Sequence, residues 1–480
     1  MPRRRDGHSF ILMANRLPVD RCGDSWHTAP GGLVSALAPI AKAESGAWIG
    51  WPGTCEETIE PFGVGGMHLV PIPLSCAEHR QYYEGFSNAV LWPLYHDLIV
   101  APEYRRDWWF AYEAVNARFA RAAIETAAYG ATIWIHDYHL QLVPRMIRGQ
   151  RPDVRIGFFN HIPFPPVELL AQLPWREAVM DGLLGADVIG LQRESDVTNF
   201  RAASQRFLGI DPDRVSNVIG AYPISVDVDA IREAAESESV ARLARQFRHD
   251  LGNPEVLMLG IDRLDYTKGI PQRLHAVEEL LDEGALDPET TVLAQVAVPS
   301  REGIGAYQDL RDEVERLIGR VNGRFGTIER GVVQYAHQSY SFEATIALYL
   351  AADVLLVTSL RDGMNLVAKE FVTARQGSGG ALVLSEFAGA ADELDRAIIV
   401  NPHDTSGLKN GIRQAASLTG DDAPEQMAAM AAAVKDNDLH QWARRFLNDL
   451  QSPMNSGLPL LKMPTRKTTG NLREVKHVGR

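Results

Sequence analysis

Short apolar runs rich in β-forming residues alternate with longer amphipathic helical patterns along almost the whole chain. Most runs are continuously apolar, which is typical of parallel strands covered by helices on both faces. They are too many for a single open sheet, so we predict an α/β fold with two doubly wound parallel sheets. The predicted strands are Phe10–Ala14, Ala47–Trp51, Ile133–His136, Arg155–Asn160 and Val188–Leu191 in the first half and Val256–Ile261, Val292–Val298, Val332–Tyr335, Val354–Thr358, Ala381–Leu384 and Ile398–Val400 in the second.

The two sets of strands meet at a charged helical stretch, Ile231–Asp250. We predict a first Rossmann-like domain over residues 1–228 and a second over residues 229–435. Residues 436–461, with the helical pattern Asp436–Leu450, are predicted to return to the first domain. Residues 462–480 carry six basic residues and one acidic residue with little apolar content, which predicts a disordered basic tail.

Composition argues against several classes of protein. The 480 residues contain 48 Lys and Arg against 61 Asp and Glu, and a net charge of −13 is unfavourable for general nucleic-acid binding. No apolar run is long enough to span a membrane, and no secretory signal is visible. Cys22, Cys55 and Cys76 lack the spacing of a metal site and predict buried thiols in a reducing compartment. We therefore expect a cytoplasmic protein with no nucleic-acid or membrane partner, and a homo-oligomer is compatible with the sequence.

Ligands of open α/β sheets bind beyond the carboxyl ends of the strands, so the residues after each strand are the candidate site. After Val354–Thr358, the turn at Asp362 and Gly363 leads into a helix predicted over Met364–Phe371. Gly363 allows a close backbone approach, and Glu370 either contacts a ribose hydroxyl or stabilises the helix dipole. The free backbone amides that favour an anion here belong to Met364, Asn365 and Leu366.

Cations also follow the strands of the second half. Arg263 and Lys268 lie five residues apart on the loop after Val256–Ile261. An arginine fork and a lysine point charge suit a diphosphate, and the alternative is a solvated turn with a local ion pair. Arg301, beyond Val292–Val298, is a similar strand-end cation.

In the first half, polar side chains follow two neighbouring strands. The segment His136–His139 follows one strand and His161 follows the next. A metal site is not predicted, because no second carboxylate or cysteine has matching spacing. We expect Asp137 to accept a hydrogen bond from a sugar hydroxyl and His161 to donate one to a substrate oxygen; the alternative for His161 is a structural role.

Other first-half residues fit a ligand site. Arg16 ends the first strand, and Gly32 precedes an apolar helix and lets backbone amides approach a phosphate. Tyr83 and Trp92 lie in an aromatic stretch that forms either a wall for a sugar ring or part of the core. Neither the dinucleotide-binding glycine fingerprint nor the P-loop pattern occurs, which argues against a dehydrogenase and a P-loop enzyme.

Together these segments closely resemble the trehalose-6-phosphate synthase family, retaining glycosyltransferases that use sugar nucleotides and have the two-domain glycosyltransferase-B fold. The resemblance extends in family order over roughly residues 9–450. It implies two Rossmann-like domains that face a central cleft. The matching segments are ANRLPV, GGL, QYYEGFSNAVLWP, IWIHDYHLQLVP, RIGFFNHIPFPP, GIDRLDYTKGIPQRL, VAVPSR, RVNGRFG, VTSLRDGMNLVAKEF and LVLSEFAGAADEL.

The resemblance implies an acceptor site for glucose 6-phosphate. Arg16 and Arg301 match residues that hold its phosphate. Tyr83 and Trp92 match further acceptor contacts, and Asp137 matches a residue at the reacting sugars.

The resemblance also implies a donor site for a nucleoside-diphosphate glucose. Arg263 and Lys268 match the pair that grips the diphosphate, and His161 matches a residue at the reacting sugars. Together with Asp137, these three form the implied catalytic set. The remaining donor contacts implied are Gly32, Asp362, Gly363, Met364, Asn365, Leu366 and Glu370, the last on the ribose.

The activity implied is transfer of glucose from UDP-glucose or a similar donor to C1 of glucose 6-phosphate, giving α,α-trehalose 6-phosphate. Retention would follow a front-face route, in which the leaving phosphate helps to deprotonate the acceptor, with no metal and no cofactor. The donor's nucleotide stays open, because the aromatic position near Tyr340 is poorly matched. The alternatives are a same-fold glycosyltransferase or pseudo-glycosyltransferase for another phosphorylated acceptor, and a non-catalytic regulatory homologue.

Overall fold

The computed structural model describes residues 7–22, 25–28, 32–98, 102–211, 217–418 and 422–452. The strands are β1 His8–Arg16, β2 Val19–Cys22, β3 Ser25–Thr28, β4 Ala47–Trp51, β5 Phe62–Val64, β6 Met67–Pro71, β7 Ala127–His136, β8 Arg155–Phe159, β9 Val188–Leu191, β10 Val218–Ala221, β11 Val256–Arg263, β12 Thr291–Val298, β13 Val333–Ala336, β14 Val354–Val357, β15 Ala381–Ser385 and β16 Ile398–Val400.

Helices connect most of these strands. The α-helices are α1 Gly32–Ala43, α2 Cys76–Glu78, α3 Trp92–Tyr95, α4 Arg106–Thr126, α5 Val143–Arg148, α6 Val167–Leu170, α7 Arg176–Leu183, α8 Glu194–Leu208, α9 Val228–Glu236, α10 Glu238–Asp250, α11 Ile270–Asp282, α12 Gly305–Phe325, α13 Phe342–Ala351, α14 Leu366–Ala374, α15 Thr405–Ala416, α16 Asp422–Asp436 and α17 Leu439–Gln451. A π-helical segment covers His79–Leu91, and 3-10 turns cover Tyr138–Leu140, Tyr266–Lys268 and Gly389–Asp392.

The described strands form two large sheets and one small hairpin. The first sheet has the order β10-β9-β8-β7-β1-β4-β6-β5, with every pair parallel except β5 with β6. The second has the order β13-β12-β11-β14-β15-β16 and is parallel throughout. Strands β2 and β3 form an antiparallel hairpin. The predicted α/β fold with two doubly wound, Rossmann-like sheets is confirmed.

Every predicted strand overlaps an observed one, but three helix predictions need correction. The stretch Ile231–Asp250 is two helices, because the backbone at Ser237 is extended and ends α9 before α10 begins. The helix predicted over Met364–Phe371 begins at Leu366, because Asn365 has a φ of +77° and caps it from outside. Asp438 caps α17, which therefore begins at Leu439.

Helix α17 packs on the first sheet, although it follows the second in sequence. The ring of Phe446 lies over β8 and β9 where Gly157 and Gly190 leave room for it; a Cβ at Gly157 would lie 2.7 Å from that ring. Trp442 donates from Nε1 to the carbonyl of Tyr222 in the segment that joins the two sheets. The domain boundaries stay a prediction, and the predicted tail at 462–480 lies outside the described residues.

The prediction of buried thiols is wrong for two cysteines. Cys55 is half-buried and Cys76 is exposed, and the side chain of Cys22 lies outside the described part. Cys55 forms an isolated bridge with Leu74, and Cys76 begins α2, where its backbone N–H donates to Glu56 at 2.8 Å. Within the described ranges, no helix has the length and apolar character that a membrane span requires.

Candidate active site

Strand ends of the first sheet place one group of predicted residues together. Strand β1 ends at Arg16 and β4 at Trp51, and these two residues are paired in register. Strand β7 ends at His136, directly before Asp137, and His161 lies two residues beyond β8. Because parallel strands end at the same edge of a sheet, these side chains share one edge.

The second sheet presents its own carboxyl edge. Arg263 ends β11, Arg301 follows β12 by three residues, and Asp362 follows β14 by five. The two edges meet at several points. The ring of Trp92 lies 3.8 Å from the Arg301 guanidinium carbon and 5.1 Å from that of Arg263. We call the space between these two edges the central cleft.

Gly363 brings the second edge against the backbone of His161. A Cβ at Gly363 would lie 2.3 Å from the His161 carbonyl oxygen, closer than any real contact. Gly389 is equally close to Gly363, because a Cβ at Gly389 would lie 2.1 Å from the Gly363 carbonyl oxygen. The sequence predicted a close backbone approach at Gly363, and in the structure the closely approaching group is the backbone of His161.

Arg301 is a buried cation whose Nε donor has no partner within the described chain. Its side chain is 4 % exposed, and Nη1 donates to Asp265 at 3.0 Å while Nη2 donates to the Tyr138 hydroxyl at 3.1 Å. Tyr307 is a further contact of Nη1. The Nε atom is buried and has no hydrogen-bond partner among the described residues. Since an unpaired buried donor is costly, this atom is suited to an anionic ligand.

Asp265 supplies the compensating charge. It is fully buried and also accepts from the backbone N–H of Thr267 and, at 3.4 Å, from Nε1 of Trp92. Burial opposes ionisation, yet the cations Arg301 and Arg263 hold the pKa of Asp265 at about 2, below its ordinary value. Asp265 is therefore a carboxylate at neutral pH.

The loop after β11 carries one cation that is paired and one that makes no ion pair within the described chain. Lys268 is buried and contacts Asp362, which also accepts from Nδ2 of Asn365 at 3.1 Å. Burial opposes ionisation of Asp362, but Lys268 keeps its pKa below the ordinary value. Arg263 is exposed, and in the described part of the chain its guanidinium makes no ion pair. Arg263 is thus available to a ligand as it stands.

A series of aromatic rings lines the first edge from Arg16 towards Trp92. The Arg16 guanidinium lies 5.2 Å from the Trp51 ring and pairs with Asp20 at 2.6 Å. Next along the series is Tyr83, half-buried and 6.1 Å from Trp51. The other ring contacts in the series are Tyr83 to His139 at 5.7 Å, His139 to Tyr138 at 4.0 Å and Tyr138 to Trp92 at 5.8 Å.

Backbone strain concentrates in the site. Seven non-glycine residues of the described chain have positive φ, and three of them are the predicted site residues Asp137, Arg301 and Asn365. Asp137 has φ +76° and ψ +164°, a region that glycine normally occupies. Strain of this kind costs about 1–3 kcal/mol per residue and is characteristic of functional sites.

Asp137 is held by backbone donors and is difficult to ionise. Its Oδ1 accepts from the backbone N–H of His161 at 3.2 Å. Burial raises its pKa to about 6, while backbone hydrogen bonds and the charges of Arg263 and Arg301 act in the opposite direction. The side chain therefore titrates close to neutral pH, in contrast to Asp265.

His161 contacts a second histidine, His136. Nε2 of His161 lies 3.0 Å from Nδ1 of His136. Burial lowers the pKa of His161 to about 3, so the ring is neutral at pH 7. His161 is suited to hydrogen bonding rather than to carrying a charge.

The remaining predicted donor-binding residues lie at or just before the start of α14, within α14, and at the start of α1. Glu370 is half-buried and accepts from the Tyr349 hydroxyl at 2.7 Å, and burial raises its pKa. Gly32 is the first residue of α1. Met364 is buried. Because α14 begins at Leu366 and not at Met364, the free backbone amides predicted for the start of this helix lie around its N-cap, Asn365.

Sequence reasoning missed three residues of this site. Trp51 ends a predicted strand, as Arg16 does, and the rule that ligands bind beyond strand ends would have selected it. Asp265 lay inside the loop already selected for its cations, and its role became visible only through its contacts. His136 was considered only as a metal ligand; among the described residues no group of three metal-binding side chains occurs.

Comparison with known proteins shows the family to which the chain belongs. The model of glycosyltransferase family 20 matches residues 8–452. The trehalose-6-phosphate synthase of Mycolicibacterium gilvum is 48 % identical over 476 residues, covering 93 % of this chain and 94 % of its own.

Two solved structures share the whole architecture. A UDP-forming α,α-trehalose-phosphate synthase from Burkholderia xenovorans in complex with glucose 6-phosphate has a TM-score of 0.84 at 33 % identity, covering 92 % of this chain and 100 % of its own. An Escherichia coli protein bound with UDP-2-fluoro glucose has a TM-score of 0.84 at 32 % identity, covering 93 % and 99 %. The chain therefore belongs to glycosyltransferase family 20, the family of the trehalose-6-phosphate synthases, and is a glycosyltransferase of the two-domain B-type fold.

Proposed function

We propose that this glycosyltransferase transfers glucose from UDP-glucose, or a similar nucleoside-diphosphate glucose, to C1 of glucose 6-phosphate and releases α,α-trehalose 6-phosphate. The observation that carries the proposal is the arrangement of four cations around one cleft. Arg16 and Arg301 lie at the two ends of the aromatic series, and Arg263 and Lys268 lie on one loop. Relatives bound with glucose 6-phosphate and with UDP-2-fluoro glucose support the same two ligands.

The acceptor is bound at the aromatic series. Its phosphate takes the unused Nε donor of Arg301 and the exposed guanidinium of Arg16. Tyr83 covers its sugar ring, Trp92 supports the Arg301 guanidinium from a buried position, and Asp137 accepts from a sugar hydroxyl. The buried arginine contributes most, because a charge-assisted hydrogen bond is stronger away from water.

The donor is bound at the second edge. Arg263 and Lys268 offset the charge that develops on the leaving diphosphate, the kind of electrostatic stabilisation that is usually the largest catalytic term. Asp362 and the backbone from Gly363 to Leu366 hold the donor glucose, Glu370 holds the ribose, and Gly32 contacts the donor from the first domain. His161 donates to an oxygen of the transferred sugar.

We further propose a retaining, metal-independent, front-face reaction. The bond from the donor C1 to the phosphate oxygen breaks, the bond to the acceptor oxygen forms on the same face, and the acceptor proton passes to the leaving phosphate. This route needs no carboxylate nucleophile, because the leaving phosphate itself takes the acceptor proton. Closure of the cleft excludes water and so limits donor hydrolysis.

The test is a donor panel with product identification. Purified protein is incubated in EDTA with glucose 6-phosphate and, in turn, UDP-, GDP- and ADP-glucose. We expect a phosphorylated, non-reducing disaccharide with at least one donor, and none when free glucose replaces glucose 6-phosphate. The absence of such a product with every donor, with or without added Mg²⁺, contradicts the proposal.

A further inference from the structure

His136 is a buried histidine that the proposed reaction does not use directly. It has no exposed surface, so it cannot contact a substrate. Its Nδ1 lies 3.0 Å from Nε2 of His161, and the two ring centroids are 5.3 Å apart. Because the centroid separation is much longer than the nitrogen separation, the rings meet edge to edge, nitrogen to nitrogen.

A single proton lies in this contact. Burial lowers the pKa of His161 to about 3 and that of His136 well below its ordinary value, so both rings are neutral at pH 7. A neutral imidazole has one N–H and one lone pair. The contact therefore has two forms, in which either His136 donates from Nδ1 or His161 donates from Nε2.

The surroundings of the other nitrogen of His136 distinguish these forms. Nε2 of His136 is buried and has no hydrogen-bond partner in the described part of the chain. If His161 were the donor, the proton of His136 would sit on this atom as a buried N–H without an acceptor. Such orphaned donors are rare, because a buried N–H without an acceptor has lost its hydrogen bond to water and gained none in return.

We propose that His136 is a positioning residue that holds His161 in the tautomer protonated at Nδ1. Nδ1 of His161 makes no hydrogen bond within the described chain and, unlike Nε2 of His136, is not enclosed. His161 then presents a donor to the central cleft, and its partner is an oxygen lone pair of the transferred sugar. This inference rests on the proposed function and assigns the atom that makes the sugar contact.

The test compares two substitutions of His136. In His136→Asn the amide N–H takes the place of Nδ1–H and can still donate to His161. In His136→Leu the donor is lost and His161 is free to change tautomer. We expect the leucine variant to lose about five- to tenfold in kcat with KM for glucose 6-phosphate unchanged, and the asparagine variant to recover most of that loss.

A spectroscopic readout separates positioning from a packing role. Long-range ¹H–¹⁵N correlation of histidine-labelled protein reports the protonated nitrogen of each ring, and a His161→Gln variant identifies the His161 signals. We expect His161 to be protonated at Nδ1 in the parent and in His136→Asn, and to shift towards Nε2 in His136→Leu. Protonation at Nε2 in the parent, or equal losses of kcat in both variants, overturns the inference. If the tautomers behave as expected but no disaccharide phosphate forms with any donor, the inference stands and the proposed function fails.

Discussion

Replacing Asp137 with asparagine is expected to stabilise the protein at neutral pH while removing most of its activity. The pKa of Asp137 is raised from an ordinary value of 3.8 to about 6, chiefly by burial. A raised folded pKa means that the fold favours the protonated form. The contribution of Asp137 to the free energy of unfolding is therefore complete below pH 3.8 and is lost as the pH rises through 6.

The size of the effect follows from the shift. A pKa change of one corresponds to about 1.4 kcal/mol, so the ionised carboxylate lowers the free energy of unfolding by up to about 3 kcal/mol at pH 7.5. The side chain is partly exposed, and asparagine weakens the hydrogen bond from the His161 N–H, so we expect a net gain of about 1–2 kcal/mol. The strained backbone at this position is unchanged by the substitution.

The assay is thermal unfolding of the parent and Asp137→Asn at pH 7.5 and pH 4.5. We expect the variant to unfold at a higher temperature at pH 7.5, with the difference shrinking at pH 4.5. Asp265→Asn is the matched control of opposite sign, because Arg301 and Arg263 hold the pKa of Asp265 at about 2 despite its burial. Its ionised form stabilises the fold above pH 3.8, so this variant should be destabilised at both pH values.

The reasoning is refuted if Asp137→Asn is less stable than the parent at pH 7.5, or if its gain does not depend on pH. Activity provides the second readout. We expect the rate of disaccharide formation to fall about 10- to 100-fold, because a hydrogen bond from the sugar hydroxyl to a charged carboxylate contributes about 1.5–3 kcal/mol. A more stable and fully active variant would remove Asp137 from the site.

Three further predictions concern the cleft. Lys268→Ala should raise KM for the sugar nucleotide and lower kcat, whereas Arg301→Ala should mainly raise KM for glucose 6-phosphate; steady-state kinetics with the opposite pattern would exchange the two subsites. Gly363→Ala should lower kcat at least about tenfold, because its Cβ would lie 2.3 Å from a backbone oxygen, while Gly319→Ala, with open space around it, serves as the control and should retain activity. Asp392→Asn breaks a two-pronged ion pair with Arg193 that joins the two domains, and the ratio of donor hydrolysis to transfer should rise about two- to fivefold; an unchanged ratio would show that the pair does not hold the cleft closed.

The sheets were predictable because their strands are continuously apolar. Runs such as Ala47–Trp51 and Val188–Leu191 match observed strands residue for residue. The hairpins β2–β3 and β5–β6 were missed, because they are short and partly polar and so lack that pattern. The break at Ser237 was also missed, since serine and glutamate neither demand nor forbid a helix.

The site was predictable to the extent that it follows from strand ends. That rule selected Arg16, Arg263 and Arg301 without any contact being known. The rule could not predict which side chains form ion pairs. Arg301 pairs with Asp265, and that contact depends on how two loops from different parts of the sequence meet in space. The tautomer of a histidine is likewise a property of its neighbours in space.

The most direct test of the central claim is the configuration of the linkage formed in the cleft. Donor glucose labelled with ¹³C at C1 is incubated with unlabelled glucose 6-phosphate and the protein, and the product is followed by ¹³C NMR. We predict one labelled anomeric carbon with an α coupling constant, in a disaccharide phosphate without a reducing end. A β-linked product, a reducing disaccharide, or label recovered only as free glucose would contradict the account.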